Sequence, residues 1–287
     1  MAIGMLCDIN LARRATFEGP GFGASLARLG IDDRYVGAPS RCADCTDLGN
    51  SWFEVSLDQP RVIALLAFLF HTMSPAATVR ITLAGADRDL ESPVHVGEWR
   101  PILTAFYPFG SLPFEAENWW TGWLSSEDRA LWPDHLYIRT PEIVVGAIRV
   151  EINDLTHPDQ WFDIGGLFIA PTGFTPVINY DRGRDLAQIP RDIVSEGPSG
   201  RRFGERRRAI RQLTVKWSHL QTSEAYRLFD AGARAGVTET VLFIPDLDDE
   251  VGMIREAWPA TFEKPPAARF VYDTLNEVAG VFKEIVA

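Results

Sequence analysis

Short runs in which apolar and polar residues alternate constrain this chain more than anything else in it. In Trp52–Leu57, Phe53, Val55 and Leu57 alternate with Glu54 and Ser56. In Thr78–Ala84, Val79, Ile81 and Leu83 alternate with Arg80 and Thr82, and in Ile143–Ile152, Val144, Ile148, Val150 and Ile152 share a parity. Successive strand residues point to opposite faces, so each run predicts a strand with one buried face. Val62–Phe70 is apolar at every position, as a central strand is; its short length and the prolines at 60 and 75 favour strand over helix. Trp161–Ile169 reads as a further strand, with Gly165-Gly166 suited to a bulge or a close backbone approach. Several short antiparallel strands with turn signals between them predict a mainly β fold, an antiparallel sandwich or jelly roll.

The order of segments divides the chain. Residues 1–175 are expected to form the β-sandwich, opening with a long irregular stretch (residues 8–50) rich in Gly, Pro, Asp and Arg. Residues 176–208 read as an Arg-rich connector, and residues 209–287 as a small α+β domain. In that domain Ile210–Trp217 alternates as a strand and Val237–Ile244 is another. Between them a helix runs to Ala235, with Ser223 as its cap, Tyr226, Phe229 and Ala233 as its apolar stripe and Gly236 as its stop. Leu275–Val286 fits either helical or strand spacing; its many β-branched residues favour strands. Between residues 85 and 140 the aromatic load peaks and prolines recur, which predicts long loops packing their own aromatic side chains.

Composition narrows the function classes. The 287 residues, 46% apolar and 23% charged, suit a folded protein with a sizeable core. A net charge of −11 repels phosphate backbones and disfavours general nucleic-acid binding. Three cysteines do not make a disulfide framework. The start lacks the basic and apolar regions of a signal peptide, and the most apolar run is too short to span a bilayer, so synthesis and folding in a cytoplasm are expected.

Motifs for catalysis or cofactor binding are missing: there is no G-x-S-x-G, no Walker A loop and no G-x-G-x-x-G opening a helix. Gly19-Pro20-Gly21-Phe22-Gly23 is a poor phosphate cradle, having a proline and no following Lys-Ser/Thr. Cys42-Ala-Asp-Cys45 has a C-x-x-C spacing, but a structural zinc needs four ligands and the five histidines are scattered; chance placement in a loop is the better reading. Asp246-Leu-Asp248-Asp249-Glu250 is acidic without EF-hand spacing and reads as a solvated turn. No carboxylate pair stands out as a glycosidase acid and base. Hence no catalytic residue, metal or cofactor is assigned.

Two features remain. Arg201, Arg202, Arg206, Arg207, Arg208 and Arg211 form a basic cluster that meets either carboxylates of a neighbouring subunit, solvent as a plain connector, or nucleic-acid phosphates; contact between subunits is favoured because arginine pairs bidentately with carboxylate. Trp119, Trp120 and Trp123 are either a stacking platform for sugar rings or ordinary core and interface tryptophans, the latter being favoured.

The order of these segments resembles a family of tail-tip structural proteins of long-tailed, non-contractile bacteriophages. The resemblance rests on Asn10-Leu11 and Ala15-Thr16 before the glycine-rich loop, then Trp52–Asp58, Arg61–Leu65 and Ala77–Ile81, which look like opening strands of galactose-binding-like jelly rolls. Arg149–Asp154, Phe162–Leu167, Arg206–Thr214, the Ser223–Gly236 helix and Val241–Asp246 follow in the same order, while the C-terminal stretch departs from the pattern. The resemblance implies a virion structural protein, a distal tail protein whose ring, commonly of six subunits, joins the tail tube to the hub and other tail-tip proteins, with a jelly roll that in some members meets host surface glycan. It implies no catalytic residues. On that reading the long irregular segments are expected to be ordered by neighbouring chains, not by their own core.

Overall fold

The computed structural model describes residues 4–31, 37–103, 105–125, 129, 132–196, 198–270 and 275–285, and of Glu250 and Val251 only the backbone. The strands are β1 (Met5–Cys7), β2 (Thr16–Glu18), β3 (Ser40–Cys42), β4 (Trp52–His71), β5 (Thr78–Ala84), β6 (His95–Val96), β7 (Arg100–Pro101), β8 (His135–Asn153) and β9 (Phe162–Pro171). They continue as β10 (Asp185–Ile189), β11 (Ile193–Glu196), β12 (Arg202–Glu205) and β13 (Ile210–Leu220). Helix α1 (Thr222–Ala235), β14 (Val241–Ile244), helix α2 (Glu250–Glu256), β15 (Trp258–Phe270) and β16 (Asn276–Glu284) complete the order. The fold is mainly antiparallel β in a sandwich-like arrangement. No helix among the described residues is long and apolar enough to cross a membrane.

Two units share the chain. The N-terminal unit comprises Ile9–Gly173 with Glu250–Ile254; the C-terminal unit comprises the described residues up to Asp8, Phe174–Asp249 and those from Arg255 onward. The first strand therefore belongs with the C-terminal unit, because Met5–Cys7 pairs with Ile244–Leu242.

In the N-terminal unit two long strands do most of the building. β4 and β8 pair along nearly their whole length, but the register shifts between Ser56 and Arg61, around Asp58-Gln59-Pro60. Before the shift β4 is flanked by β2, with β8 and then β5 on the other side; after it β4 lies between β8 and β9. Phe53, Val55 and Leu57 from one half and Ile63, Leu66 and Phe68 from the other meet in a single apolar cluster with Ile148, Val150, Leu167 and Ile169. Alternation before the shift and continuous burial after it correspond to a strand with one buried face that becomes a strand covered on both. The pairing of β4 with β9 runs in register past Gly166, so the Gly165-Gly166 step makes no bulge.

The irregular opening is ordered by its own unit, contrary to the expectation that neighbouring chains would order it. 3-10 helices at Leu11–Arg14 and Gly23–Gly30 send Leu11, Ala12, Leu26 and Leu29 into the core. Buried Asn10 ties them down: its Oδ1 accepts from Ala12 N at 3.0 Å and Ile169 N at 2.9 Å, and its Nδ2 donates to Leu167 O at 3.1 Å. The glycines at 19 and 21 serve packing: a Cβ there would lie 2.7 Å from Trp52 O and 2.1 Å from Asn50 O. Asp32 and Asp33 lie outside the described residues.

The C-terminal unit is a six-stranded sheet, β1-β14-β15-β16-β13-β10, covered by α1. Its last two strands confirm strand over helix at the chain end, within the described residues. Helix α1 is capped by Gln221 with Glu224 in a reciprocal capping box, not by Ser223. Its buried face is Ala225, Leu228, Ala231, Gly232 and Ala235, whereas Tyr226 and Phe229 are exposed. Close approach makes one end of this face small, since a Cβ on Gly232 would lie 2.6 Å from Pro266, while Leu228 is its one large side chain and packs into the core. Gly236 ends the helix with φ +55°, the left-handed region glycine tolerates. Within residues 176–208, β10 forms the sheet edge against β13, while β11 and β12 pair only with each other.

One buried group makes this fold sensitive to acid. His71, at the end of β4, has both ring nitrogens buried without a partner. Burial, which outweighs attraction to Asp134 and Asp154 and adds to repulsion from Arg129, lowers its pKa from 6.5 to about 4. The folded value lies below the ordinary one, so the neutral ring's contribution is complete above pH 6.5 and is lost as pH falls toward 4. The full effect is roughly 3 kcal/mol. Urea unfolding of the N-terminal unit should show stability declining across that window, and His71→Leu should flatten the decline; equal slopes for both proteins would show that His71 does not titrate with unfolding.

Candidate functional site

The loop between β7 and β8 carries the aromatic load that the sequence placed there, and it is built from turns. Phe106 N and Tyr107 N both donate to Gly122 O, at 2.8 and 2.9 Å. Gly122 N donates to Asn118 O at 2.8 Å, and Trp119 N to Ala116 O at 3.0 Å. Gly122 has φ +64°, and a Cβ there would meet Tyr107 O at 2.6 Å, so glycine is required for the loop to close on itself. Asn118 Nδ2 also donates to Trp123 O. These bonds fix the backbone on both sides of Trp119 and Trp120.

On that frame Trp119 is the centre of a ring cluster. Its centroid lies 5.3 Å from Phe109, 5.0 Å from Phe114 and 4.5 Å from Trp120, the last pair at 88°. Such edge-to-face contacts are favourable beyond the area they cover. Trp119 is half-buried, yet Phe109, Phe114 and Trp120 are 78%, 74% and 75% exposed. Glu115, Glu117 and Thr121, next to these residues in sequence, are exposed as well. Trp123 separates from this group. Half-buried, it lines a cavity of about 30 Å³ with the buried Ile102 and Phe106 and with His135. Of the three tryptophans singled out in sequence, two therefore share one exposed patch and the third belongs to the packing beneath.

The arginine cluster divides more sharply. Arg201 lies over the Phe203 ring at 5.5 Å, Arg202 faces Glu196 at 3.9 Å and Arg207 pairs with Glu205 at 3.0 Å; these three and Arg206 are exposed. Arg211 turns inward. Its guanidinium pairs with Glu284 at 2.6 Å, its backbone N donates to the same carboxylate at 2.9 Å, and it lies 4.6 Å from the Trp258 ring centre. Arg208 also pairs with Glu284, whose side chain is almost fully buried. Position on β13 explains this, since Arg211 shares parity with the buried Leu213, Val215 and Trp217. Arg208 and Arg211 hold a buried carboxylate inside the C-terminal unit, while Arg201, Arg202, Arg206 and Arg207 remain at the surface.

Other motifs have structural explanations. Cys42 and Cys45 are free and buried, and burial raises the Cys42 thiol to about 12, the opposite of the lowering that activates a thiol. Asp246 accepts from Asp248 N at 3.1 Å in an Asx turn; the Glu250 side chain and Gly197 lie outside the described residues. No grouping of three or more metal-binding side chains occurs among the described residues. Sequence reasoning missed three repeated arginine stacks: Arg41 over Trp161 beside Asp163, Arg80 over Trp99 beside Glu151, and Arg149 over Trp52 beside Glu54. For Arg80 and Arg149 the signal was the outward set of each alternating strand, where arginine and glutamate face one another across the sheet; Arg41 faces Asp163 between β3 and β9, which no alternation marks.

No family model matches the sequence, and no curated protein matches it. Among solved structures the chain is similar to a family 89 glycoside hydrolase from Clostridium perfringens in complex with 2-acetamido-1,2-dideoxynojirmycin (11% identity, TM-score 0.35). That match covers 57% of this chain and 15% of the hydrolase, a small part of its length. A fucose binding module of Streptococcus pneumoniae is 14% identical at TM-score 0.35, with 57% of this chain and 95% of the module covered. The lectin domain of lectinolysin complexed with Lewis B antigen is 11% identical at TM-score 0.35, with 57% and 96% covered.

The two classes of arginine respond differently to loss of a partner. Glu284→Ala leaves two guanidinium groups without their carboxylate, one of them buried, and should destabilise the C-terminal unit by about 3–5 kcal/mol. Glu196→Ala, which removes an exposed partner of Arg202, should change little. Urea midpoints of the two variants, measured side by side, check the contrast; equal shifts would place Arg211 at the surface.

Proposed function

We propose that the N-terminal unit is a non-catalytic carbohydrate-binding module whose ligand rests on the Trp119–Trp120 loop. The carrying observation is the ring cluster itself: Phe109, Phe114 and Trp120 are exposed around a fixed Trp119. Contiguous exposed apolar surface of this kind marks an interaction site. Pyranose rings present C–H groups that pack on flat aromatic faces, and their hydroxyls suit the polar rim of Glu115, Glu117 and Thr121. Glycoside hydrolysis needs two carboxyls opposed across the scissile bond; Glu115 and Glu117 sit instead along one open loop, an arrangement suited to holding a sugar.

A second reading, that the chain is a ring-forming subunit of a phage tail tip and works in the virion, is favoured by a different observation. Among the described residues β11 and β12 pair with no other strand, and every residue of the two strands is exposed, Val194 at 65% and Phe203 at 54%. A lone two-stranded hairpin is marginally stable in water, so an exposed apolar one suits docking on another chain. The two readings are compatible, since a tail-tip ring carrying a glycan-binding unit uses both surfaces.

A glycan array followed by calorimetry on the best ligand tests the first reading. Trp120→Ala should weaken binding at least about tenfold, equivalent to roughly 1.4 kcal/mol, with the unfolding midpoint unchanged. Trp123→Ala should instead lower the midpoint. An array without hits, or a Trp120 variant that binds as the parent does, removes the proposal.

A further inference from the structure

We infer that the β11–β12 hairpin of one copy docks into a groove at the opposite end of the C-terminal sheet of a second copy, so that chains associate head to tail. This rests on the assembly reading above and names its two surfaces. Both belong to the C-terminal unit.

The first surface is the arm. Ile193 and Phe203 stand diagonally on one face, since Ile193 pairs with Glu205 and Ser195 with Phe203. The hairpin Ile193–Glu205 is itself neutral, with Arg201 and Arg202 against Glu196 and Glu205; the positive excess lies at its base, where Arg191, Arg206 and Arg207 outnumber Asp192. The second surface is a groove of about 500 Å³ beside the start of α1, lined by Val177, Ile178, Leu275, Thr222, His219 and Glu224, with no lysine or arginine among its lining residues. Val177, Ile178 and Leu275 are exposed there. The apolar surface continues along the outer face of α1 through Tyr226, whose ring lies 5.5 Å from exposed Phe270. An apolar arm with a positively charged base thus matches an apolar groove with one carboxylate, Glu224, among its described lining residues.

The occupant is a second copy because the arm does not reach its own groove. It leaves the sheet where Ile189 pairs with Ile210, and the groove lies at the other end of β13, around Leu220. The eleven residues of β13 span about 36 Å. Ile193 and Phe203 are four and seven residues from the arm's origin, a reach of at most roughly 14 and 25 Å. Two different patches on one chain, joined across copies, form a heterologous contact, which closes into a ring when the rotation allows.

The test uses the full chain in analytical ultracentrifugation. Wild type should form a species larger than a dimer. Phe203→Glu (arm) and Val177→Asp (groove) should each lose it, with circular dichroism unchanged because both positions are exposed. Mixing the two variants leaves one intact arm and one intact groove per pair, so a one-to-one dimer and nothing larger is expected. In a separate protein, Ser195→Cys with Ile178→Cys should give a covalent ladder on oxidation; the three native cysteines are buried and do not compete. If wild type associates but both variants associate equally and no ladder forms, the docking is overturned and the assembly reading stands. If wild type remains monomeric throughout, the assembly reading falls, and the docking with it.

Discussion

Much of the N-terminal unit depends on the pairing of β4 with β8 continuing through a change of register. Each strand is about twenty residues long, far beyond the usual five or six. A strand that long twists out of a single flat sheet. The register shift at Asp58–Pro60 lets the same two strands serve both halves of the unit, and Pro60 has no N–H to lose from the ladder. The apolar sets from both halves then face one another, and the 3-10 helices of the opening segment close the cluster from the side. The aromatic loop is anchored on this frame, since Ile102 and Phe106 are buried at its start and Leu136 and Ile138 just beyond its end.

The strands of that frame were legible because period two is a backbone property that survives any tertiary context. What the alternation of Trp52–Leu57 and the continuous run Val62–Phe70 did not disclose is that they are one strand; a proline between two β patterns reads as a boundary, and only the pairing with β8 joins them. The α1 stripe was misread for a complementary reason. Helical spacing identifies large apolar residues, but this helix approaches a proline pair closely, and its buried face is built mostly of small residues around Leu228, leaving Tyr226 and Phe229 outside. Arg211 was readable in principle: it extends the alternation of Leu213, Val215 and Trp217 by one step. Grouping it by charge with its neighbours concealed its parity.

Of the candidate site, the residues were visible and their division was not. Trp119, Trp120 and Trp123 are close in sequence, yet Gly122 turns the chain between them, so two rings join the outer cluster and the third fills space beneath. That separation depends on a positive φ at one glycine and on hydrogen bonds to its carbonyl, information that no periodicity carries. Phe109 and Phe114 entered the patch in the same way, brought to Trp119 by turns at Pro108–Ser111 and Pro113–Ala116.

The exposed apolar residues of the two units pose one common physical problem. Phe109, Phe114 and Trp120 in one unit leave most of their surface exposed, and Ile193, Val194 and Phe203 in the other about half or more. A large part of the hydrophobic gain of these side chains, on the order of 2 kcal/mol for one fully covered, is therefore unrealised within the chain. Trp217, Phe262 and Phe282, buried in the C-terminal core, realise it fully. The outer rings thus contribute little to folding and carry a cost in solubility, which a net charge of −11 offsets by repulsion between chains. Repulsion of that kind also opposes self-association, and the base of the hairpin, where Arg191, Arg206 and Arg207 outnumber Asp192, is a place where the prevailing charge is locally reversed. The aromatic loop shows no such reversal. Its rim holds Glu115 and Glu117, a setting that suits an uncharged, hydroxyl-rich ligand better than a second acidic chain.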